Sequence, residues 1–132
     1  MSTHIHQQVS INAKPQDVYQ AFMSEKHHSA LTGGASRIST EIGGSVEMHD
    51  GQITARNLEL ELGRKIVQAW RVAGWEEGLY TLLRIKLEAE GAGTLVTLDQ
   101  SGCPEEMTEH LAGGWHERYW KPMAAHFSTN GG

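Results

Sequence analysis

The chain has 132 residues, which is enough for one hydrophobic core and too few for two. Its net charge is -5 and its eleven lysine and arginine residues are scattered, which argues against a nucleic-acid-binding surface. The single cysteine, Cys103, excludes an intrachain disulfide and favours a reducing compartment. No segment reaches the roughly 20 apolar residues of a membrane span, and the first residues lack a signal-peptide pattern, so we expect a cytoplasmic protein without a membrane partner.

The N-terminal part of the chain predicts a strand, short helices and a hairpin. In "THIHQQVSI" apolar residues alternate with polar ones, which is typical of a strand with one covered face. Pro15 in "KPQDVYQAFM" suits the first turn of a helix, and the apolar residues after it have helical spacing. The pair Asp50-Gly51 in "SVEMHDGQI" predicts a tight hairpin turn, because that turn needs positive φ.

The middle of the chain predicts a run of antiparallel strands. Between residues 53 and 101, four apolar-patterned segments are separated by glycine-containing turns. In the third segment, every second residue from Leu79 to Ala89 is apolar or small, and the charged residues Arg84, Lys86 and Glu88 lie on the other side, which indicates one covered and one wet face. The alternation slips at Arg56 and Asn57 in the first segment, and this slip predicts a β-bulge.

The C-terminal part predicts one long helix that covers the sheet. Pro104 and the two glutamates after it indicate a helix over residues 105–127. Gly113 and Gly114 weaken this helix, and Pro122 is expected to kink it. At roughly 100° per residue, a single face of the helix carries an apolar stripe. The stripe consists of Ala112, Trp115, His116, Tyr119, Trp120, Met123 and Phe127.

The predicted elements give an α+β fold: a strand, short helices, then a curved antiparallel sheet of about six to seven strands in all, wrapped around a long C-terminal helix. The stretches "GGSVEMHDGQITARNLELELGRKIVQAWRV", "GTLVTLDQSGCP" and "HLAGGWHERYW" resemble the activator-of-heat-shock-protein-90-ATPase homologue family. That family belongs to the START-like (SRPBCC, helix-grip) superfamily, which includes the birch-pollen allergen. The resemblance covers nearly the whole chain, with Gly63 where a proline is usual. It implies a single START-like domain over residues 1–132.

Histidines are the first candidate site residues. His4 and His6 share one face of the first predicted strand, a spacing that can bind a metal, but the sequence assigns no third ligand, so we expect surface residues and no metal site. His27 and His28 point in different directions and carry no ligand geometry. His116, in the apolar stripe, can be a core residue bonded to a neighbour, an anchor for a polar ligand group, or a general base, and we favour the first two.

Polar residues of the strands are further candidates. Gln68 shares a face with Trp70, Arg56 lies at the predicted bulge, and Asp99 alternates with Thr97, so each can line a pocket or lie at its edge. No serine–histidine–aspartate order, phosphate loop or metal spacing stands out, so we assign no catalytic residue, no metal ligand and no cofactor. The predicted ligand-binding residues are His116, Tyr119, Trp115, Trp120, Met123, Gln68, Trp70, Arg56 and Asp99.

Three functions remain open. The first is a non-catalytic domain that binds a small hydrophobic or amphipathic ligand in a cavity between the C-terminal helix and the sheet. The second, which the resemblance implies, is an interaction domain that activates the ATPase of the chaperone heat-shock protein 90 in the stress response, although the eukaryotic activator resembles this chain in only one of its two domains. The third, ranked last for want of an acid–base pair, is a polyketide cyclase-like or hydrolase-like enzyme. We expect a monomer or a weak homodimer.

Overall fold

Seven antiparallel strands form one open sheet in the computed structural model, which describes residues 4–128. Their order across the sheet is β1-β7-β6-β5-β4-β3-β2, so the first strand pairs with the last. The strands are β1 (Ile5–Ile11), β2 (Arg37–Ile38), β3 (Ser45–Met48), β4 (Ile53–Glu61), β5 (Lys65–Val72), β6 (Thr81–Glu90) and β7 (Gly93–Ser101).

Two short helices follow β1, as the sequence predicts. They are α1 (Pro15–Met23) and α2 (Glu25–Thr32). Pro15 occupies the first turn of α1, where its missing N–H would have no helical partner in any case. Ser24 lies between the two helices and accepts a hydrogen bond from the backbone N–H of His27, which caps the start of α2.

The C-terminal helical segment is continuous but changes its winding. It begins with a 3₁₀ turn (Glu105–Met107) and continues through α3 (Thr108–Trp115), a π-helical turn (His116–Trp120) and α4 (Lys121–Ser128). The helix predicted over residues 105–127 is thus present, and with the seven-stranded sheet it confirms the α+β helix-grip fold. Among the helices that the structure describes, none is both long and apolar enough to cross a membrane.

The sheet has one covered and one exposed face, in the register that the sequence predicts. Along β6, Leu83 and Ile85 are 1% and 2% exposed, whereas Arg84 and Lys86 point to solvent. Trp70 on the neighbouring β5 is buried on the same face. These side chains join the buried residues of α1 and of the C-terminal segment in one apolar cluster.

The predicted hairpin connects β3 and β4. His49, Asp50 and Gly51 have φ values of 52°, 59° and 85°, so two residues other than glycine adopt the left-handed region in this turn. The Asp50 carboxylate accepts a hydrogen bond of 3.0 Å from the backbone N–H of Ala35. This bond ties the turn to the loop after α2, and the turn carries His49 towards the C-terminal segment, where its ring meets Tyr119.

The predicted β-bulge is also present, since the β4–β5 register shifts between Asn57 and Glu59. Asn57 is fully buried, and its side-chain amide donates to the carbonyl oxygens of Ser39 and Glu41 at 2.7 and 3.1 Å. The Gln68 amide in turn donates to the Asn57 side-chain oxygen at 3.1 Å. The polar group that Gln68 places in an apolar row therefore has a protein partner, as a buried amide requires.

Candidate functional site

The space between the C-terminal segment and the middle of the sheet is almost filled by side chains. A cavity of about 10 Å³ remains there, lined by residues that include Phe22, Gln68 and Tyr119. A single water molecule needs roughly 10–15 Å³ of such volume, so this cavity holds one water at most. A ligand of the kind predicted from the sequence does not fit in this interior.

Aromatic rings account for the filling. Trp115 lies 4.9 Å from the Tyr119 ring and 5.9 Å from the Trp70 ring, measured between ring centroids. Phe22 of α1 stacks on Tyr119 at 5.5 Å. Contacts of this kind add roughly 0.5–1.5 kcal/mol per pair to the burial of the rings themselves. The aromatic stripe predicted as a cavity wall is therefore largely a packed core.

Buried hydrogen bonds hold two tryptophans of this core in place. The Trp115 indole N–H donates to the Gln100 side-chain oxygen at 2.8 Å, and the Gln100 amide donates to the Thr81 hydroxyl at 2.9 Å. The Trp120 indole N–H donates to the Gln7 side-chain oxygen at 2.6 Å. Since the indole N–H groups of Trp115 and Trp120 both have acceptors on strands, the C-terminal segment is fixed in register against β7 and β1.

An open cleft of about 460 Å³ lies at one edge of this core, between the C-terminal segment and the neighbouring ends of β4 and β5. Trp70, Trp115 and Tyr119, three of the predicted ligand-binding residues, contribute to its wall. Glu117 and Arg118 add charged groups at its edge. The other apolar residues of the wall are Ile53, Val72 and Leu111. This volume falls within the range of roughly 300–1,000 Å³ that small-molecule sites span.

Two histidines meet the Tyr119 hydroxyl behind the cleft wall. Nε2 of His28 lies 2.8 Å and Nε2 of His49 lies 3.1 Å from that oxygen. His28 is fully buried, and burial together with the charge of His49 lowers its pKa to about 4. Burial and the nearby Arg118 also lower the pKa of His49, while Asp50 acts in the opposite direction. Both rings are therefore neutral near pH 7.

The direction of each hydrogen bond in this cluster can be deduced from the one buried nitrogen that has no hydrogen-bond partner. Nδ1 of His28 is buried and has no hydrogen-bond partner. A buried N–H without an acceptor is avoided when the His28 proton is on Nε2, from which it donates to the Tyr119 oxygen. The Tyr119 hydroxyl then donates to His49 or to the Met48 sulfur, which lies 3.7 Å away. Burial raises the pKa of the Tyr119 hydroxyl, so it stays protonated.

The predicted inward position of His116 is wrong, because this residue is exposed. The cause is the π-helical turn, in which the backbone N–H of Lys121 bonds to the His116 carbonyl instead of the carbonyl one residue later. Because of the wider turn, Tyr119 and Met123 lie on the same side of the segment as Trp115. A uniform rotation of about 100° per residue would instead centre the apolar stripe near His116. Pro122, which has no N–H, is the second residue of α4, which follows this turn.

The other predicted ligand-binding residues divide between the core and the surface. Met123, Trp120 and Gln68 are buried, and none of them contributes to the wall of the open cleft. Arg56 is exposed, and its guanidinium donates to the Gly43 carbonyl at 3.0 Å. Asp99, which the sequence left as a residue that lines a pocket or lies at its edge, does not face the helix, because the β7 residues that face inward are its neighbours in the alternation, such as Leu98. Asp99 lies instead on the outer face, beside His4 and His6.

Three residues near the cleft were not among the predicted ones. His28 has helical spacing with Leu31, a signal that it shares the inner face of α2, although a single pair is weak evidence. His49 precedes the predicted hairpin pair and shows no periodic pattern. Arg118 is a charged residue outside the predicted apolar stripe, yet it contributes to the wall of the cleft. Only the folded chain brings these residues together.

Comparison with known proteins assigns the chain to a family. Residues 12–128 match the family described as Activator of Hsp90 ATPase homolog 1-like protein. The chain is also 31% identical over 102 residues to the Activator of 90 kDa heat shock protein ATPase homolog of Dictyostelium discoideum, a match that covers 76% of this chain and 27% of that protein. The chain spans between 27% and 37% of the length of three curated relatives that it matches.

Solved structures share the fold at low sequence identity. An HSP90 activator from Plasmodium falciparum is 17% identical, with a TM-score of 0.91 over 96% of this chain and 97% of that chain. The Aha1 dimer from Colwellia psychrerythraea is also 17% identical, with a TM-score of 0.79 over 92% of this chain and 94% of that chain. At these identities the likeness concerns the fold alone.

Proposed function

Because the chain belongs to the Activator of Hsp90 ATPase homolog 1-like protein family and has an open, mostly apolar cleft, we propose that it is a non-catalytic domain that binds a small amphipathic ligand. The observation that carries this proposal is the 460 Å³ cleft beside a filled interior. The site is thus at the edge of the C-terminal segment, where a ligand enters without separating the helix from the sheet.

The groups around the cleft define the chemistry of the ligand. Trp70 and Trp115, which are 3% and 4% exposed, contribute a small apolar part of their surface to the wall, and hydrogen bonds fix their neighbourhood, so little side-chain entropy is lost on binding. Arg118 supplies a guanidinium at the edge, which favours a carboxylate, sulfonate or phosphate on the ligand. An apolar body with one anionic end satisfies both parts of the site.

We propose no catalytic role because the titratable groups behind the cleft form hydrogen bonds with one another. His28, His49 and the Tyr119 hydroxyl bond to one another behind the cleft wall. A general base needs a free acceptor within hydrogen-bond reach of the substrate proton. The cluster instead supports the wall, because it fixes the Tyr119 ring that lines the cleft.

The proposal can be tested with 8-anilinonaphthalene-1-sulfonate, an aromatic probe with one anionic group. We expect saturable binding at one site per chain, with fluorescence transfer from tryptophan. Arg118→Glu should weaken the affinity by about tenfold or more, since a charge-assisted hydrogen bond contributes about 1.5–3 kcal/mol. Arg84→Glu, the same change on the exposed face of the sheet, is the matched control and should leave the affinity unchanged. Equal effects of the two variants would contradict a site at this cleft.

A second candidate function is the binding and activation of an Hsp90-type chaperone. Two observations favour it: the relative from Dictyostelium discoideum carries that activity in its name, and the filled interior suits a domain that binds through its surface. The test is the ATPase rate of purified Hsp90 with and without this chain, together with calorimetry of their complex. Acceleration that Arg118→Glu abolishes, without any probe binding, would favour this function over the first.

A further inference from the structure

Three potential metal ligands converge on the exposed face of the sheet, away from the cleft. His6 of β1 lies directly opposite Asp99 of β7 in the antiparallel pair, and His4 lies two residues before His6 on the same face. Nδ1 of His6 is 2.7 Å and Nε2 of His4 is 3.0 Å from the same oxygen of the Asp99 carboxylate. The three ligand atoms all lie within 4.8 Å of one another.

We propose that His4, His6 and Asp99 form a binding site for a borderline divalent metal ion such as Zn²⁺. Two imidazole nitrogens and one carboxylate oxygen are a donor set that Zn²⁺ accepts, with a fourth position left for water. The spacing of His4 and His6 in the sequence suggests two ligands of such a site, and the β1–β7 pairing supplies the third. No part of this proposal depends on the ligand-binding cleft.

The distances from the Asp99 oxygen to the two histidine nitrogens are close to those that a metal requires, and the two nitrogens lie within 4.8 Å of each other. In a tetrahedral site with metal–ligand bonds of about 2.0–2.1 Å, neighbouring ligand atoms are roughly 3.3 Å apart. The two histidine nitrogens therefore need to move by a few tenths of an ångström from the Asp99 oxygen. The side chains can do this by small rotations, because they are 49%, 57% and 34% exposed for His4, His6 and Asp99. The same exposure leaves the fourth position open to water.

The charges around the site set the strength of binding. The Asp99 carboxylate, which lies within 3.0 Å of both histidine rings, supplies the negative charge of the site. Arg84 lies opposite Asp99 on the other neighbouring strand, β6, and its positive charge opposes a cation. We therefore expect a dissociation constant in the micromolar range.

The test is calorimetric titration of tag-free, metal-stripped protein with ZnCl₂ at pH 7.5. We expect one Zn²⁺ per chain in the wild type. His6→Gln and Asp99→Asn should each weaken the affinity by at least about tenfold, since even the loss of an outer-shell partner weakens metal binding about 10- to 100-fold. His116→Gln, which removes an exposed histidine of the C-terminal segment, is the matched control and should not change the affinity.

Two further measurements keep the outcome unambiguous. Thermal melts without metal show whether the variants fold, and the exposure of the side chains predicts that they do. Co²⁺ in place of Zn²⁺ should give a visible absorption band that Asp99→Asn abolishes. The proposal is overturned if Zn²⁺ does not bind at one ion per chain, or if both ligand variants bind it as tightly as the wild type. His4, His6 and Asp99 would then be a hydrogen-bonded surface cluster only.

Discussion

The Tyr119 hydroxyl lies 2.8 Å from Nε2 of His28, a residue 91 positions earlier in the chain, and this buried bond joins α2 to the C-terminal segment. The same hydroxyl meets His49 of the β3–β4 turn at 3.1 Å. One phenol group therefore connects three separate parts of the chain directly behind the wall of the cleft. The stability and the pH dependence of the domain should both report on this cluster.

Removal of the Tyr119 hydroxyl should destabilise the fold without creating a large cavity. Tyr119→Phe leaves the ring in place but deprives two histidines of a partner, so we expect a loss of about 1–3 kcal/mol in the free energy of unfolding. Chemical denaturation measures this loss. Tyr80→Phe is the matched control, because Tyr80 is 48% exposed, and it should change the stability by less than about 0.5 kcal/mol. Similar values for the two variants would show that the Tyr119 hydrogen bonds contribute little.

Mild acid should destabilise the protein through His28. The pKa of His28 is about 4 in the folded state and about 6.5 in an unfolded chain, so between these values the unfolded state binds more protons. The stabilising effect of a neutral His28 is complete above pH 6.5 and is lost as the pH falls towards 4. By pH 5 this one group should lower the free energy of unfolding by about 2 kcal/mol.

The contribution of His28 can be separated from that of other acid-sensitive groups by substitution. His28→Leu should reduce the loss of stability between pH 7.5 and pH 5 by about 2 kcal/mol, measured by denaturant titration at both pH values. His27→Leu, at the adjacent exposed histidine, should leave that loss as it is in the wild type. If His28→Leu also retained the full loss, the acid sensitivity would have to arise elsewhere.

Core truncations test the register of the sheet. Trp70→Ala and Leu83→Ala remove side chains that are 3% and 1% exposed on the covered face, so each should cost about 3 kcal/mol or more. Lys86→Ala, on the exposed face of the same strand as Leu83, should stay within about 0.5 kcal/mol. The midpoints of chemical denaturation compare the three variants. Comparable midpoints for the three variants would contradict the assignment of Trp70 and Leu83 to the covered face of the sheet.

His116→Leu tests the corrected position of that histidine. Because the residue is exposed and lies outside the cleft wall, the substitution should change neither the stability by more than about 0.5 kcal/mol nor the affinity for the anionic probe. Denaturation and fluorescence titration measure the two quantities. A clear loss of probe affinity would return His116 to the ligand-binding residues.

The fold could be predicted largely from the sequence because its signals are local. The strands alternate with period two along β6, and a turn that needs positive φ is marked by Asp50-Gly51. The bulge near Asn57 also shows as a slip in that alternation. Each of these patterns depends on residues a few positions apart, so one segment is enough to recognise it.

The site could be predicted only in part because it depends on one change of winding and on distant contacts. Trp70, Trp115 and Tyr119, which the sequence predicts as ligand-binding residues, contribute to the wall of the cleft. A regular helix places His116 inside, and although Pro122 indicates an irregularity, it does not say which residue leaves the stripe. His28 reaches Tyr119 across the fold, which no local pattern reveals.

The central claim is that the cleft beside Trp115 is the ligand site, and the indole N–H signals of the tryptophans test it most directly. Trp70 and Trp115 line the cleft, whereas Trp120 lies outside its wall with its indole N–H bonded to Gln7. In a titration with the anionic probe followed by ¹H–¹⁵N NMR, the signals of Trp70 and Trp115 should shift to saturation at one probe per chain, while that of Trp120 stays in place. A saturable shift of the Trp120 signal alone, or no shift at Trp70 and Trp115, would contradict the claim.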